Sequence, residues 1–145
     1  MRHRVEVADI AAFDRVESKI EFARLLDDLR LPQPAWRLVE NEDDLSGLGL
    51  PVWLKAEFST AGRGVVRVPS RDEAAAALAS LTPRGRVMAQ APAPGRYAQV
   101  QGLFRRGRLL AAAASELLAT GVGGSAAARV SVHHPEAVTA LERLG

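Results

Sequence analysis

The 145-residue chain contains no cysteine, which excludes disulfides, thiolate metal sites and a cysteine nucleophile while permitting a reducing compartment. No apolar run approaches the roughly 18 residues that a membrane-spanning helix needs. The alanine block Ala111 to Ala114 is far too short, and Met1-Arg-His-Arg is followed by mixed charge instead of the apolar core of a signal peptide. A cytoplasmic protein without a membrane partner is the expectation. Lysine is scarce: Lys19 and Lys55 are the only two, and the other basic residues are all arginine. Aspartate stops at Asp72, and beyond Glu73 only Glu116, Glu136 and Glu142 carry negative charge. That scarcity restricts metal chemistry in the second half, because divalent ions beside phosphates are normally held by carboxylates.

What is present fits one soluble globular domain or a piece of a larger one. The chain is 48% hydrophobic and 25% charged, a profile that excludes disorder and collagen-like structure. A formal charge of +2 is too small to demand a nucleic acid.

Local patterns predict an α+β fold with mostly hairpin-connected strands. Asp14-Arg-Val-Glu17 predicts a helix start with a capping-box acid, continued by Val16, Ile20 and Ala23 at helical spacing and stopped by Leu31-Pro-Gln-Pro34. Ala35 to Val39 alternates as a strand, Asn41 to Leu48 forms a brief acidic helix, and Pro51 to Ala56 is the best buried strand. Glu57 to Arg63 connects it to a strand over Gly64 to Val68. Ser70-Arg-Asp-Glu73 is a capping box for a helix through about Leu81, ended by Thr82-Pro-Arg-Gly85. Val87 to Gln90 is a strand, followed by Ala91 to Gly95, whose two prolines forbid helix and central-strand pairing. Tyr97 to Phe104 and Arg108 to Ser115 pair as a hairpin through Arg105-Arg-Gly107. A glycine-rich loop over Thr120 to Ser125, a strand near Ala127 to Val132 and a helix from Pro135 to Leu144 complete the chain.

Neither Gly-x-x-x-x-Gly-Lys-Ser/Thr nor a strand-to-helix Gly-x-Gly-x-x-Gly occurs, so the P-loop and Rossmann phosphate sites have no support. A different loop stands out, Ser59-Thr-Ala-Gly62-Arg-Gly64, between two strands of which the first carries Lys55. Small residues let backbone N–H groups approach an anion, and the ammonium adds a compact point charge. A plain hairpin loop is the bland alternative.

In order along the chain, Asp14 to Lys19, Leu31-Pro-Gln-Pro34, Gly49-Leu-Pro-Val-Trp-Leu-Lys55, the glycine loop with Gly64-Val-Val-Arg-Val, and Val87-Met-Ala-Gln90 with Pro94-Gly95 form a series. Tyr97 to Phe104 with its Gly107 turn, and Gly123-Gly-Ser125 before Arg129, extend it. With this series the chain resembles the ATP-grasp superfamily, ligases that join a carboxylate to an amine through an acyl phosphate, and especially its carbamoyl-phosphate-synthase-like members. The resemblance implies a mostly antiparallel sheet with flanking helices, incomplete at both ends, with a first subdomain over about 14–85 and the start of a second over about 86–145. It implies that Lys19 and Lys55 contact ATP phosphates and that Ser59, Thr60, Ala61, Gly62 and Gly64 belong to a flap that closes over them. Gln90, Ala91 and Pro92 match a hinge whose backbone reads adenine, Gln101 falls near a ribose-binding acid, and Arg129 faces the substrate carboxylate or acyl phosphate. The family has Glu where Gln90 stands and an acid near Gln101, two changes that backbone hydrogen bonds to the nucleotide would survive.

The family's Mg²⁺ ligands lie downstream of everything matched, so no metal ligand is assigned to this chain. The expectation is a fragment or split portion of a longer ligase, inactive alone, with the rest of the enzyme or a partner chain and small carboxylate and amine substrates as partners. The alternatives are a non-catalytic ATP-binding or scaffold domain and a basic nucleic-acid module using Arg105, Arg106 and Arg108, which a solvated turn explains more simply. His133 and His134 read as surface residues, and Trp36 and Trp53 as core. Glu57, two positions after Lys55, is placed to pair with that lysine or to mark the strand's end.

Overall fold

The computed structural model describes residues 9–60, 62–121 and 126–145, and in it the helical region splits where the sequence pattern runs on. Asp9, not Asp14, caps the first helix: its Oδ1 accepts from the Ala12 N–H at 2.8 Å, and α1 runs Ile10–Glu17. Ser18 then turns extended and starts α2, Lys19–Asp28, by accepting the Glu21 N–H on Oγ at 3.1 Å and the Phe22 N–H on its carbonyl at 2.8 Å. A serine between two helical patterns competes for backbone hydrogen bonds, and here it interrupts a period that Val16 and Ile20 alone make look continuous. Ile20 and Ala23 are buried, whereas Val16 is exposed.

The chain divides into two compact units, one of residues up to 28 and 32–92, the other of residues 29–31 and 93–145. The first holds a four-stranded antiparallel sheet in the order β1 (Trp36–Val39), β4 (Val87–Gln90), β2 (Val52–Ala56), β3 (Val65–Val68). β4 pairs with both β1 and β2 and so belongs to this unit.

Alternation assigns two faces to this sheet. Val52, Leu54 and Ala56 of β2, Val68 of β3 and Val87 and Ala89 of β4 pack with Ala74, Ala77, Leu78 and Leu81 of α3 (Ala74–Leu81). Leu54 is fully buried, worth about 1.5–3 kcal/mol relative to an exposed position. On the opposite face Ile20 and Ala23 of α2 pack on Met88 and Trp36. Trp53, on the same face, is 37% exposed and is not the core residue its alternation suggested. Trp36 is half-buried, with Nε1 donating to Asp27 Oδ2 at 2.9 Å.

Two turns depart from the expected caps. Glu42–Leu45 is a single 3-10 turn, though its Asn41/Asp44 capping box is complete. Ser70 makes no cap bond to the backbone; its Oγ donates to Glu73 Oε1 at 3.1 Å, and a 3-10 turn over Arg71–Glu73 precedes α3.

The second unit is a three-stranded antiparallel sheet, β5 (Ala98–Arg105), β6 (Arg108–Thr120) and β7 (Ala126–Val132), with α4 (Pro135–Glu142) on one face. Arg106 and Gly107 both have positive φ, 50° and 76°, as a two-residue hairpin turn matching the strand twist requires. β6 runs to Thr120, beyond the expected Ser115, because β7 pairs along that extension. Gly102 permits the approach of α4: a Cβ there would lie 2.6 Å from Leu141 Cδ2. Pro135 opens α4, and His134 caps it, its Nδ1 accepting the Ala137 N–H at 3.3 Å. Among the described residues, no helix is long and apolar enough to cross a membrane.

Candidate functional site

The sheet face on which α2 packs carries Lys55, half-buried and paired with Met88. Its neighbours across the ladder are Val65 on β3 and Met88 on β4, while Trp53 stands opposite Gln90 one step further along. Lys55 Nζ donates to Gln90 Oε1 at 2.6 Å. Lys19, at the first position of α2, donates through Nζ to the Ser59 carbonyl at 2.8 Å and, at 3.5 Å, to that of Glu57. Both lysines thus stand beside the β2–β3 loop, and both side chains donate to neutral oxygens. Burial lowers the Lys55 pKa, and the neighbouring Lys19 charge lowers it further. Burial also lowers Lys19, against the raising effect of Glu17.

The loop is a closed hairpin. Ala56 N–H donates to the Gly64 carbonyl at 2.8 Å, Arg63 to Thr60 and Val65 to Gly62, each at 3.2 Å. Gly62 has φ of 72° and is exposed, whereas Gly64 is buried against Ser59, with room for no side chain. Ser59 Oγ is buried and has no hydrogen-bond partner among the described residues. Thr60 is exposed, and Ala61 lies outside the described residues.

Glu57 does not pair with Lys55. β2 ends at Ala56, so the alternation that would place Glu57 on the lysine's side no longer holds. Its buried carboxylate instead receives Ser18 Oγ at 2.7 Å and Arg86 at 2.9 Å (Nε to Oε2) and 2.6 Å (Nη2 to Oε1). These bonds, the Arg86 fork above all, hold its pKa below the ordinary carboxylate value, and Glu57 and Glu21 together raise that of Arg86. No sequence motif marks Arg86; it lies 29 positions from Glu57 and is brought there because β4 pairs with β2.

At the end of β4, the Ala91 N–H donates to the Ala35 carbonyl at 2.8 Å, and Pro92 has no N–H. Carbonyl acceptors are what this segment can offer a base edge. In the second unit, Gln101 and Arg129 lie on the face away from α4. Gln101 is exposed opposite Ala113, and Arg129 pairs with Leu117. The Arg129 guanidinium sits 5.3 Å from the Tyr97 ring centroid and makes a long 3.5 Å contact with Ser115 Oγ. Arg105, Arg106 and Arg108 are exposed at the hairpin turn.

Mg²⁺, which the sequence resemblance implies for the complete enzyme, does not fit the residues at hand. Among the described residues no three His, Asp or Glu side chains gather closely enough to hold a metal ion, and Glu57 beside the lysines is occupied by Arg86 and Ser18.

No protein-family model matches the chain. Over 68 residues, 44% of this chain, it is 32% identical to the carbamoyl phosphate synthase large chain of Thermoplasma acidophilum, a match spanning 6% of that protein. Carboxyaminoimidazole ribonucleotide synthase from Aspergillus clavatus, solved in complex with ATP, superposes with a TM-score of 0.77 at 19% identity, over 92% of this chain and 38% of that one. D-alanyl-alanine synthetase A from Vibrio cholerae gives 0.73 at 16% identity, over 92% of this chain and 48% of its own. The chain therefore spans less than half the length of these proteins, and within that span its fold is the ATP-grasp ligase fold.

Proposed function

We propose that the chain is the ATP-binding portion of an ATP-grasp ligase that activates a carboxylate as an acyl phosphate for attack by an amine. The observation that carries this reading is the convergence of the only two lysines on one small-residue loop, with neutral oxygens as partners for both. Two cations whose hydrogen bonds go to neutral oxygens, beside a small-residue loop, attract a polyphosphate. In this reading Lys19 and Lys55 bind phosphate oxygens, and Ser59, Thr60, Ala61, Gly62 and Gly64 form the cover. Carbonyls of the Gln90–Ala91–Pro92 segment accept from the adenine amino group. Gln101 takes the ribose hydroxyls, and Arg129 stabilises the substrate carboxylate or transferring phosphoryl group. The carboxylate and amine are small molecules, and the remainder of the ligase or a partner chain completes the catalytic centre.

A second reading, a non-catalytic ATP-binding scaffold, draws on the same loop and on the lack of a metal-ligand cluster among the described residues. Calorimetry with ATP tests what the two share. Weak saturable binding is expected, lost in Lys55→Ala and retained when Arg105 and Arg106 are replaced by alanine. Salt-sensitive binding of oligonucleotides with no response to ATP overturns both in favour of a nucleic-acid module. ATP turnover on addition of the remaining part of a ligase then separates enzyme from scaffold.

A further inference from the structure

Glu57 is fixed through its backbone at the base of the loop. Its N–H donates to the Arg86 carbonyl at 2.9 Å and its carbonyl accepts the Lys19 N–H at 3.2 Å. Lys19 Nζ reaches the same carbonyl at 3.5 Å. A carboxylate anchored this close to the ammonium needs only a rotation about its own side-chain bonds to reach it. What holds it elsewhere is the two-pronged grip of Arg86, with Ser18 Oγ as third donor. Glu21 shares Arg86 Nη2 at 3.2 Å and also binds Arg24, so this acid too is held by arginine, while the Glu17 charge acts on Lys19. Around the loop Glu57 and Glu21 are therefore held by arginines, and both lysines hydrogen-bond neutral oxygens.

We infer that Arg86 is a positioning residue that withholds the Glu57 carboxylate from Lys19 and Lys55 and so keeps both ammonium groups available to a polyphosphate anion; the inference rests on the phosphate-binding reading of that lysine pair. A buried carboxylate deprived of its arginine seeks the nearest cation. Lys19 Nζ, already 3.5 Å from the Glu57 carbonyl, is one such cation, beside Arg24, whose charge also acts on Glu57. Arg86 thus acts on the anion site without touching the anion.

Loss of Arg86 and loss of Glu57 should have opposite consequences, which a merely structural ion pair does not produce. The full chain is labelled with ¹³C at lysine Cε, giving one signal from each of its two lysines. Inorganic triphosphate binding is measured by calorimetry for the wild type, Arg86→Met, Arg86→Lys, Glu57→Gln and the Glu57→Gln/Arg86→Met pair. Arg86→Met is expected to weaken triphosphate binding about tenfold and to move the titration of at least one lysine upward, as a new anionic neighbour does. The double variant is expected to return to within about twofold of the wild type, because the freed carboxylate is gone. Glu57→Gln alone should bind no less tightly than the wild type, and Arg86→Lys should fall between, lacking the planar fork. A folded double variant as weak as Arg86→Met, or lysine titrations unmoved in Arg86→Met, overturns the inference. Should Arg86→Met fail to fold, weakened binding in Glu57→Gln overturns it, and wild-type affinity in the double variant supports it. If the wild type binds neither triphosphate nor ATP, the phosphate reading fails, while the lysine titrations still decide whether Arg86 withholds Glu57.

Discussion

Replacing Gly64 by alanine sets a well-defined steric problem at the loop. The backbone there needs no glycine conformation, because its φ is not in the left-handed region. The obstacle is Ser59: an added Cβ would lie 2.4 Å from Ser59 Cβ and 2.6 Å from its Oγ, with Ala56 Cβ at 3.2 Å. Ordinary contact begins near 3.4 Å, so the main chain on one side must give by about 1 Å. A Cβ cannot rotate away, and both segments are held, Gly64 by the Ala56 N–H and Ser59 by Lys19 Nζ. Overpacking of this kind costs about 1–3 kcal/mol, and the rigidity of both partners points to the upper part, about 2–3 kcal/mol. For a chain of this size that lowers the melting temperature by roughly 4–12 °C. Gly62→Ala is the control, since nothing lies within 4 Å of its added Cβ and its positive φ alone should cost about 1 kcal/mol. Thermal denaturation followed by circular dichroism measures both. Ser59→Gly in the Gly64→Ala background removes the obstructing Cβ and should recover at least half of the loss, a coupling of about 1–2 kcal/mol. A Gly64→Ala protein as stable as the wild type, or a double variant with no recovery, refutes the reasoning.

Three further outcomes are expected. Leu54→Ala, at a fully buried site, should cost about 2–5 kcal/mol in urea unfolding, and Leu38→Ala, 38% exposed, less than half as much. The Glu57 pKa is depressed in the fold, so its stabilising contribution is fully present above its ordinary value of 4.5 and lost as pH falls through the depressed one. Urea midpoints measured downward from pH 6 should show that acid loss in the wild type and a shallower one in Glu57→Gln. Because burial lowers Lys55 and Lys19 from 10.5, triphosphate affinity should decline on the alkaline side at a pH below that value, and calorimetry across pH 7 to 10 will show it.

What the sequence made legible is what residue type and short spacing decide. β2 announced itself by its apolar run, the β5–β6 turn by Gly107, the start of α4 by Pro135, and the lysine pair by its rarity among arginines. The break at Ser18 was hidden because Ile20 continues the helical period while a single hydroxyl redirects the backbone. Trp53 was misjudged because alternation tells which residues share a face but not which face is covered, and α2 covers only the part near Met88. The Glu57–Arg86 pair was out of reach for a topological reason: spacing relates residues along one strand, whereas this contact exists because β4 inserts between β1 and β2. The same insertion places Gln90 against Lys55, so one crossover determines the partner of both the acid and the lysine. Composition could therefore name the two cations, but only the tertiary arrangement decides that they meet neutral oxygens, Lys55 through the order of the strands and Lys19 through the seat of α2 beside the loop.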